Sequence, residues 1–246
     1  MLKVVDSAVP VACWSCSIAH NNSTLFCPHC SKIQPPRGAD FFTVFGLSPH
    51  LNLDLPSLEK EFHRLSRRLH PDRFARAEQN EKEWSLADTA QLNDAYRTLK
   101  DAITRTEYLL KTHGAEIGEE HAGKDRRRGE MGASRVPADL LEEVFNLNMQ
   151  LEEMRAVHRT GAIDHDLEKS LKEAKGKFER LREGVDQDLR AQWNAWDHGD
   201  ETARQASQKT MVALLDRRRY LSNLVRDVTE TLEGKDGIGL STQRGR

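Results

Sequence analysis

The stretch Leu58-Glu59-Lys60-Glu61-Phe62-His63-Arg64-Leu65-Ser66-Arg67-Arg68-Leu69-His70-Pro71-Asp72 decides the fold. Leu58, Phe62, Leu65 and Leu69 recur at spacings of four, three and four, which sets them on one face of an α-helix. Asp54 is placed to cap that helix, and Pro56 falls in its first turn, where a missing N–H costs little. Lys60, His63, Arg64, Arg67 and Arg68 spread over the outward face. A proline pushes its predecessor out of the α region, so the helix is expected to stop at about His70. Pro71 then fixes the turn and leaves the side chains of His70 and Asp72 near its tip.

A charged helix face usually does no more than keep the helix soluble, and any tripeptide occurs by chance. The combination is more informative. The basic helix ends at His70-Pro71-Asp72, and a second helical run follows with Leu92, Ala95, Tyr96 and Leu99. This resembles the J-domain family, a helical hairpin joined by a His-Pro-Asp loop. The resemblance implies that the basic face, with Lys60, Arg64, Arg67 and Arg68, steers toward an acidic patch on a DnaK-type (heat shock protein 70 family) chaperone. It also implies that His70, Pro71 and Asp72 trigger ATP hydrolysis in that partner. The chain itself would be no enzyme.

Next comes Arg105-Thr106-Glu107-Tyr108-Leu109-Leu110-Lys111-Thr112-His113-Gly114. The R-x-E-Y-L-L continuation is similar to that of the HscB (Jac-type) J-proteins, which serve iron–sulfur cluster biogenesis. Tyr108, Leu109 and Leu110 are expected to act by packing rather than by touching a ligand.

Composition bounds the reading. The 246 residues are enough for one or two domains with a real core. They are highly charged, poor in aromatics and suited to helices. A formal net charge of −2 gives no general nucleic-acid footprint. No apolar run approaches the ~18–20 residues of a membrane-spanning helix.

All four cysteines lie near the start, in Cys13-Trp14-Ser15-Cys16 and Cys27-Pro28-His29-Cys30. Two C-x-x-C pairs point to a closed tetrahedral Zn site, structural because four thiolates leave no open position. Disulfides are the alternative and require an oxidising compartment. His20 and His29 are spare ligands, with His29 expected to face solvent. Some eukaryotic HscB relatives carry such an N-terminal tetracysteine module. That resemblance favours the mitochondrial matrix, with the cytoplasm as the alternative; no presequence is visible.

The expected organisation is all-α. A tetracysteine zinc module (1–36) is followed by a J-domain hairpin (37–114), with Asp40–Leu47 as a short lead-in helix. A flexible linker (115–137) holds the basic run Lys124–Arg128. A three-helix bundle (138–234) and a polar tail (235–246) complete the chain. In the bundle, Leu140, Val144, Leu147, Leu151 and Met154 form one apolar stripe, and Leu167, Leu171, Ala174, Phe178 and Leu181 a second. A third, less regular run joins Leu214, Leu221, Leu224, Val228 and Leu232, with Gly161 and Gly199 as punctuation.

Once the first stripe is buried, Leu141 and Phe145 remain on an adjacent face, with Met149 further round. Apolar groups exposed together on a helix mark a protein partner. In the HscB proteins this region holds the cluster scaffold, of IscU or Isu type. The resemblance therefore assigns Leu141, Phe145, Glu153 and Tyr220 to scaffold binding; Met149 joins them by its place on the same face, although it, Glu142 and Asn146 depart from the family's residue type. Three rivals stay open: a general J-protein for unfolded clients, a zinc-ribbon nucleic-acid binder and a thiol redox enzyme.

Overall fold

In the computed structural model, residues 10–21, 24–36, 38, 40–117 and 136–234 are described. Residues 118–135 of the expected linker, with its Lys124–Arg128 run, and the 235–246 tail lie outside them. The chain divides into two compact units, one of residues 1–114 with Trp196–His198, the other of residues 115–195 and 199–246.

The first unit begins with a short antiparallel ribbon, β1 (Val11–Ala12) against β2 (Ala19–His20). It is a small exception to the otherwise helical character. Helix α1 (Phe41–Val44) follows, capped by Asp40, which accepts the Phe42 and Thr43 N–H groups. Helix α2 spans Leu55–Leu69. Asp54 caps it by accepting the Ser57 N–H, Pro56 sits in its first turn, and it stops at Leu69, with His70 already extended at ψ 127°. A short 3-10 turn, Pro71–Phe74, leads to helix α3 (Gln79–Lys100), and helix α4 (Ala102–Thr112) closes the unit. The polar stretch between the turn and α3 is short, because Glu81 already lies in the first turn of α3.

Leu58, Leu65 and Leu69 of α2 are buried, as are Leu92, Ala95 and Leu99 of α3. Phe62 is half-buried and stacks on Tyr96 at 4.1 Å between ring centroids. The R-x-E-Y-L-L segment is indeed structural. Leu109 and Leu110 are buried, and the buried Arg105 guanidinium donates to the Leu51 and Leu99 carbonyls. Tyr108 does more than fill space: it stacks on Phe41 and accepts the Phe41 N–H at 2.9 Å.

In the second unit, helices α5 (Leu141–Thr160), α6 (His165–His198) and α7 (Glu201–Leu232) supply the expected runs. The last helix starts well before Leu214, because Asp200 caps it through the Ala203 N–H. Gly161 ends α5 at φ 70°, a left-handed conformation that costs glycine little. Gly199 is needed for space: a Cβ there would lie 2.3 Å from the Ala195 oxygen. The three stripes meet in one core of Leu140, Val144, Leu147, Leu151, Met154, Leu167, Leu171, Phe178, Leu221, Leu224 and Val228. Ala174, Leu181, Leu214 and Leu232 are half-buried around it, while Val185, Tyr220 and Val225 join it.

Candidate functional site

Three sites can be built from these elements, beginning with the turn after α2. Where α2 stops, the Leu69 carbonyl loses its helical partner, and a buried orphan acceptor is costly. Two hydroxyls of α3 replace it: Ser85 Oγ donates to the Leu69 oxygen at 2.6 Å and Thr89 Oγ1 at 3.3 Å. The turn is thus fastened at its root by α3. His70 Nδ1 accepts the Asp72 N–H at 3.3 Å and lies 3.5 Å from Asp72 Oδ2. Nδ1 accepts that N–H only when unprotonated, so neutral His70 carries its proton on Nε2. The side chains of His70 and Asp72 are 59% and 90% exposed, a donor and a carboxylate presented to solvent on a fixed backbone.

The basic face is less uniform than the sequence suggests. Lys60, Arg64 and Arg67 are exposed. Arg64 is paired with Glu61 one turn earlier, and its guanidinium holds the Glu61 carboxyl below its usual range. Arg68 is half-buried, with its guanidinium 3.9 Å from the centroid of the Phe26 ring of the cysteine module. Its guanidinium therefore lies against the cysteine module, apart from Lys60, Arg64 and Arg67.

Beside Ser85 and Thr89, Asp88 is 1% exposed and has no hydrogen-bond partner for either oxygen among the described residues. Burial pushes its carboxyl up to about 7. Neither this group nor the two hydroxyls stood out in the sequence. Polar residues at helical positions otherwise filled by apolar ones are the signal that marks them.

The second site is the cysteine cluster. All four Sγ atoms lie within 4.8 Å of one another. Cys13–Cys30 and Cys16–Cys27 are separated by 3.6 and 3.7 Å. A tetrahedral Zn with Zn–S bonds of ~2.3 Å sets sulfurs ~3.8 Å apart, so the residues fit such an ion. The cysteines are free thiols rather than disulfides. Both knuckles have the same internal bonding. The Ser17 and Ser31 N–H groups donate to the Cys13 and Cys27 carbonyls, and the Ser15 and His29 N–H groups to the Cys13 and Cys27 sulfurs. Amide donors at sulfur favour thiolate. The buried Gln34, unmarked in the sequence, donates to Cys13 Sγ at 3.5 Å. His20 bonds to Gln34 and the Asn21 carbonyl, and His29 faces solvent.

The third site lies on α5. Leu141, Phe145 and Met149 are 54%, 65% and 59% exposed, and Glu153 follows one turn later on the same line. Residues four apart stack along a helix, so these form a continuous stripe on the face away from Val144, Leu147 and Leu151. Tyr220 does not extend it. At 7% exposure it belongs to the bundle core, because its ring falls on the inward side of α7 beside Leu221 and Leu224.

Comparison with known proteins now has a geometry to attach to. No protein-family profile matches the chain. It is 29% identical over 184 residues to the mouse iron-sulfur cluster co-chaperone protein HscB, covering 70% of this chain and 74% of the mouse protein. The chain is homologous to the HscB co-chaperones. It is also 39% identical over 113 residues to an HscB homologue of Vibrio vulnificus, a match that spans 46% of this chain and 60% of that protein. The crystal structure of human co-chaperone protein HscB has the same fold, at a TM-score of 0.63 and 24% identity, covering 89% of this chain and 97% of that one. Among the described residues, no helix is long and apolar enough to cross a membrane.

Proposed function

We propose that the chain is a J-type co-chaperone dedicated to the iron–sulfur cluster scaffold. The bundle (138–234) binds the scaffold, of IscU or Isu type, through Leu141, Phe145, Met149 and Glu153. The J-domain (37–114) delivers it to a DnaK-type chaperone. His70, Pro71 and Asp72 stimulate that chaperone's ATPase, and Lys60, Arg64 and Arg67 guide the encounter. The chain does no chemistry of its own; it raises the effective concentration of scaffold at the chaperone. The observation that carries this reading is the turn after α2, with two functional side chains in solvent and the carbonyl at its root held by Ser85 and Thr89. The homology to HscB proteins supports it, as does the exposed stripe on α5.

In the same reading, Cys13, Cys16, Cys27 and Cys30 hold a structural zinc, and the working compartment is the mitochondrial matrix. Freshly purified reduced protein should release about one zinc per chain on denaturation with a chelator present. A metal content near zero would remove the tetrathiolate site.

The deciding experiment is a steady-state ATPase assay of a mitochondrial DnaK-type chaperone, with the chain added, with and without the scaffold. Stimulation that rises further with scaffold is the expected result. Stimulation indifferent to scaffold would leave a J-protein with another client, and no stimulation would overturn the reading.

A further inference from the structure

The cysteine module is not an isolated cap. Within the first unit it lies against the J-domain end that carries the His-Pro-Asp turn. Lys32 Nζ reaches Glu81 at 3.0 Å to Oε1 and 3.1 Å to Oε2, across 49 residues of sequence. Trp14 meets Trp84 of α3 edge to face at 5.5 Å, and Phe26 lies under the Arg68 guanidinium.

Between the two walls is a crevice of about 440 Å³. Phe26, Ser31 and Lys32 line it from the module, and Arg68, Arg73 and Phe74 from the J-domain. Its charges do not balance. The carboxylate at its edge, Glu81, is claimed by Lys32. Neither Arg68 nor Arg73 has a carboxylate in ion-pair contact among the described residues. Arg68 is held below its usual range by burial and by the charges of Arg64 and Arg73. The crevice is therefore mainly polar, with two guanidinium groups that lack an ion-pair partner beside the Phe26 and Phe74 rings, and Arg73 and Phe74 directly follow Asp72.

We propose that this crevice receives an acidic, extended segment of the DnaK-type chaperone, so that the cysteine module forms one wall of the docking face. The proposal rests on the reading of the chain as a J-type co-chaperone. Guanidinium groups suit carboxylates by charge and by their paired donors, and a narrow crevice between two walls suits an extended chain. The module then has a task in recognition, and its metal keeps that wall in shape.

The test places a new negative charge on the module wall of the full-length, zinc-loaded protein. Ser31 is exposed at φ 59°, a conformation that Asp and Asn tolerate. Ser31→Asp and Ser31→Asn are compared in titrations of chaperone ATPase stimulation, with zinc content and helicity measured alongside. Ser31→Asp is expected to need about fivefold more protein than Ser31→Asn for half-maximal stimulation at low salt, the gap closing as salt rises. If Ser31→Asp loses zinc, Ala77→Glu on the opposite wall adds the same charge without touching the module, and the same gap from Ala77→Gln is expected. Charged and neutral variants that titrate alike, while His70→Gln still abolishes stimulation, overturn the crevice and leave the co-chaperone reading intact. A wild-type chain that neither binds nor stimulates the chaperone overturns both.

Discussion

The turn after α2 and the stripe on α5 are both exposed, yet they are built in opposite ways. The turn is polar and small, and its geometry comes from buried bonds beneath it, where Ser85 and Thr89 hold the Leu69 carbonyl. The stripe is apolar and needs no support beyond its helix. Leu141, Phe145 and Met149 are what remains after Val144, Leu147 and Leu151 have filled the core. A site that presents a backbone shape depends on residues far from it in sequence. A site that presents surplus apolar area depends only on helix phase.

The largest expected effect separates the two sites. His70→Gln should abolish ATPase stimulation and leave scaffold affinity unchanged; loss of both would show that the turn and the stripe are not independent. Next, replacing Leu141 and Phe145 together with Ala should weaken scaffold binding by roughly 2–4 kcal/mol, measured calorimetrically, with helicity unchanged. Binding that survives this change would move the scaffold off α5.

Asp88 tests the support under the turn. Its folded pKa is raised to about 7, above an unfolded value near ~3.9. The folded chain therefore keeps a proton that the unfolded chain has released. The stabilisation is complete below about pH 4 and is lost as pH rises through about 7, by up to roughly 4 kcal/mol. In Asp88→Asn, which cannot ionise, denaturant midpoints between pH 5 and 8 should flatten. An unchanged slope would place the titration elsewhere.

The smallest effect probes the edge of the stripe. The Tyr220 hydroxyl is buried without a hydrogen-bond partner among the described residues. Tyr220→Phe should therefore change stability by no more than about 0.5 kcal/mol and leave scaffold binding untouched. A clear loss of binding would return Tyr220 to the contact surface.

Much of this was readable in the residues. Asp54, Pro56 and Pro71 place the ends of α2 by local rules, and periodicity finds most of the bundle core. The four cysteines announce their cluster by spacing alone. Tyr220 was misplaced because an irregular stripe does not fix which of two neighbouring angles points inward, and α7 turned out to begin thirteen residues earlier than Leu214. Ser85, Asp88 and Gln34 were missed because their roles depend on what another segment leaves unsatisfied. The approach of the module to α3 is longer-range still, since nothing near Lys32 names Glu81 as its partner.

That last pair also bears on how the chain is made. Lys32 precedes Glu81 by 49 residues, so the module comes first whenever the chain is delivered from its N-terminal end. The cysteine knuckles close over short loops, so they can form and take up metal while α3 does not yet exist. When α3 forms, Glu81 meets a cation already in place, and a chain short of metal at that moment would finish its hairpin with a buried carboxylate held only by the Glu78 N–H.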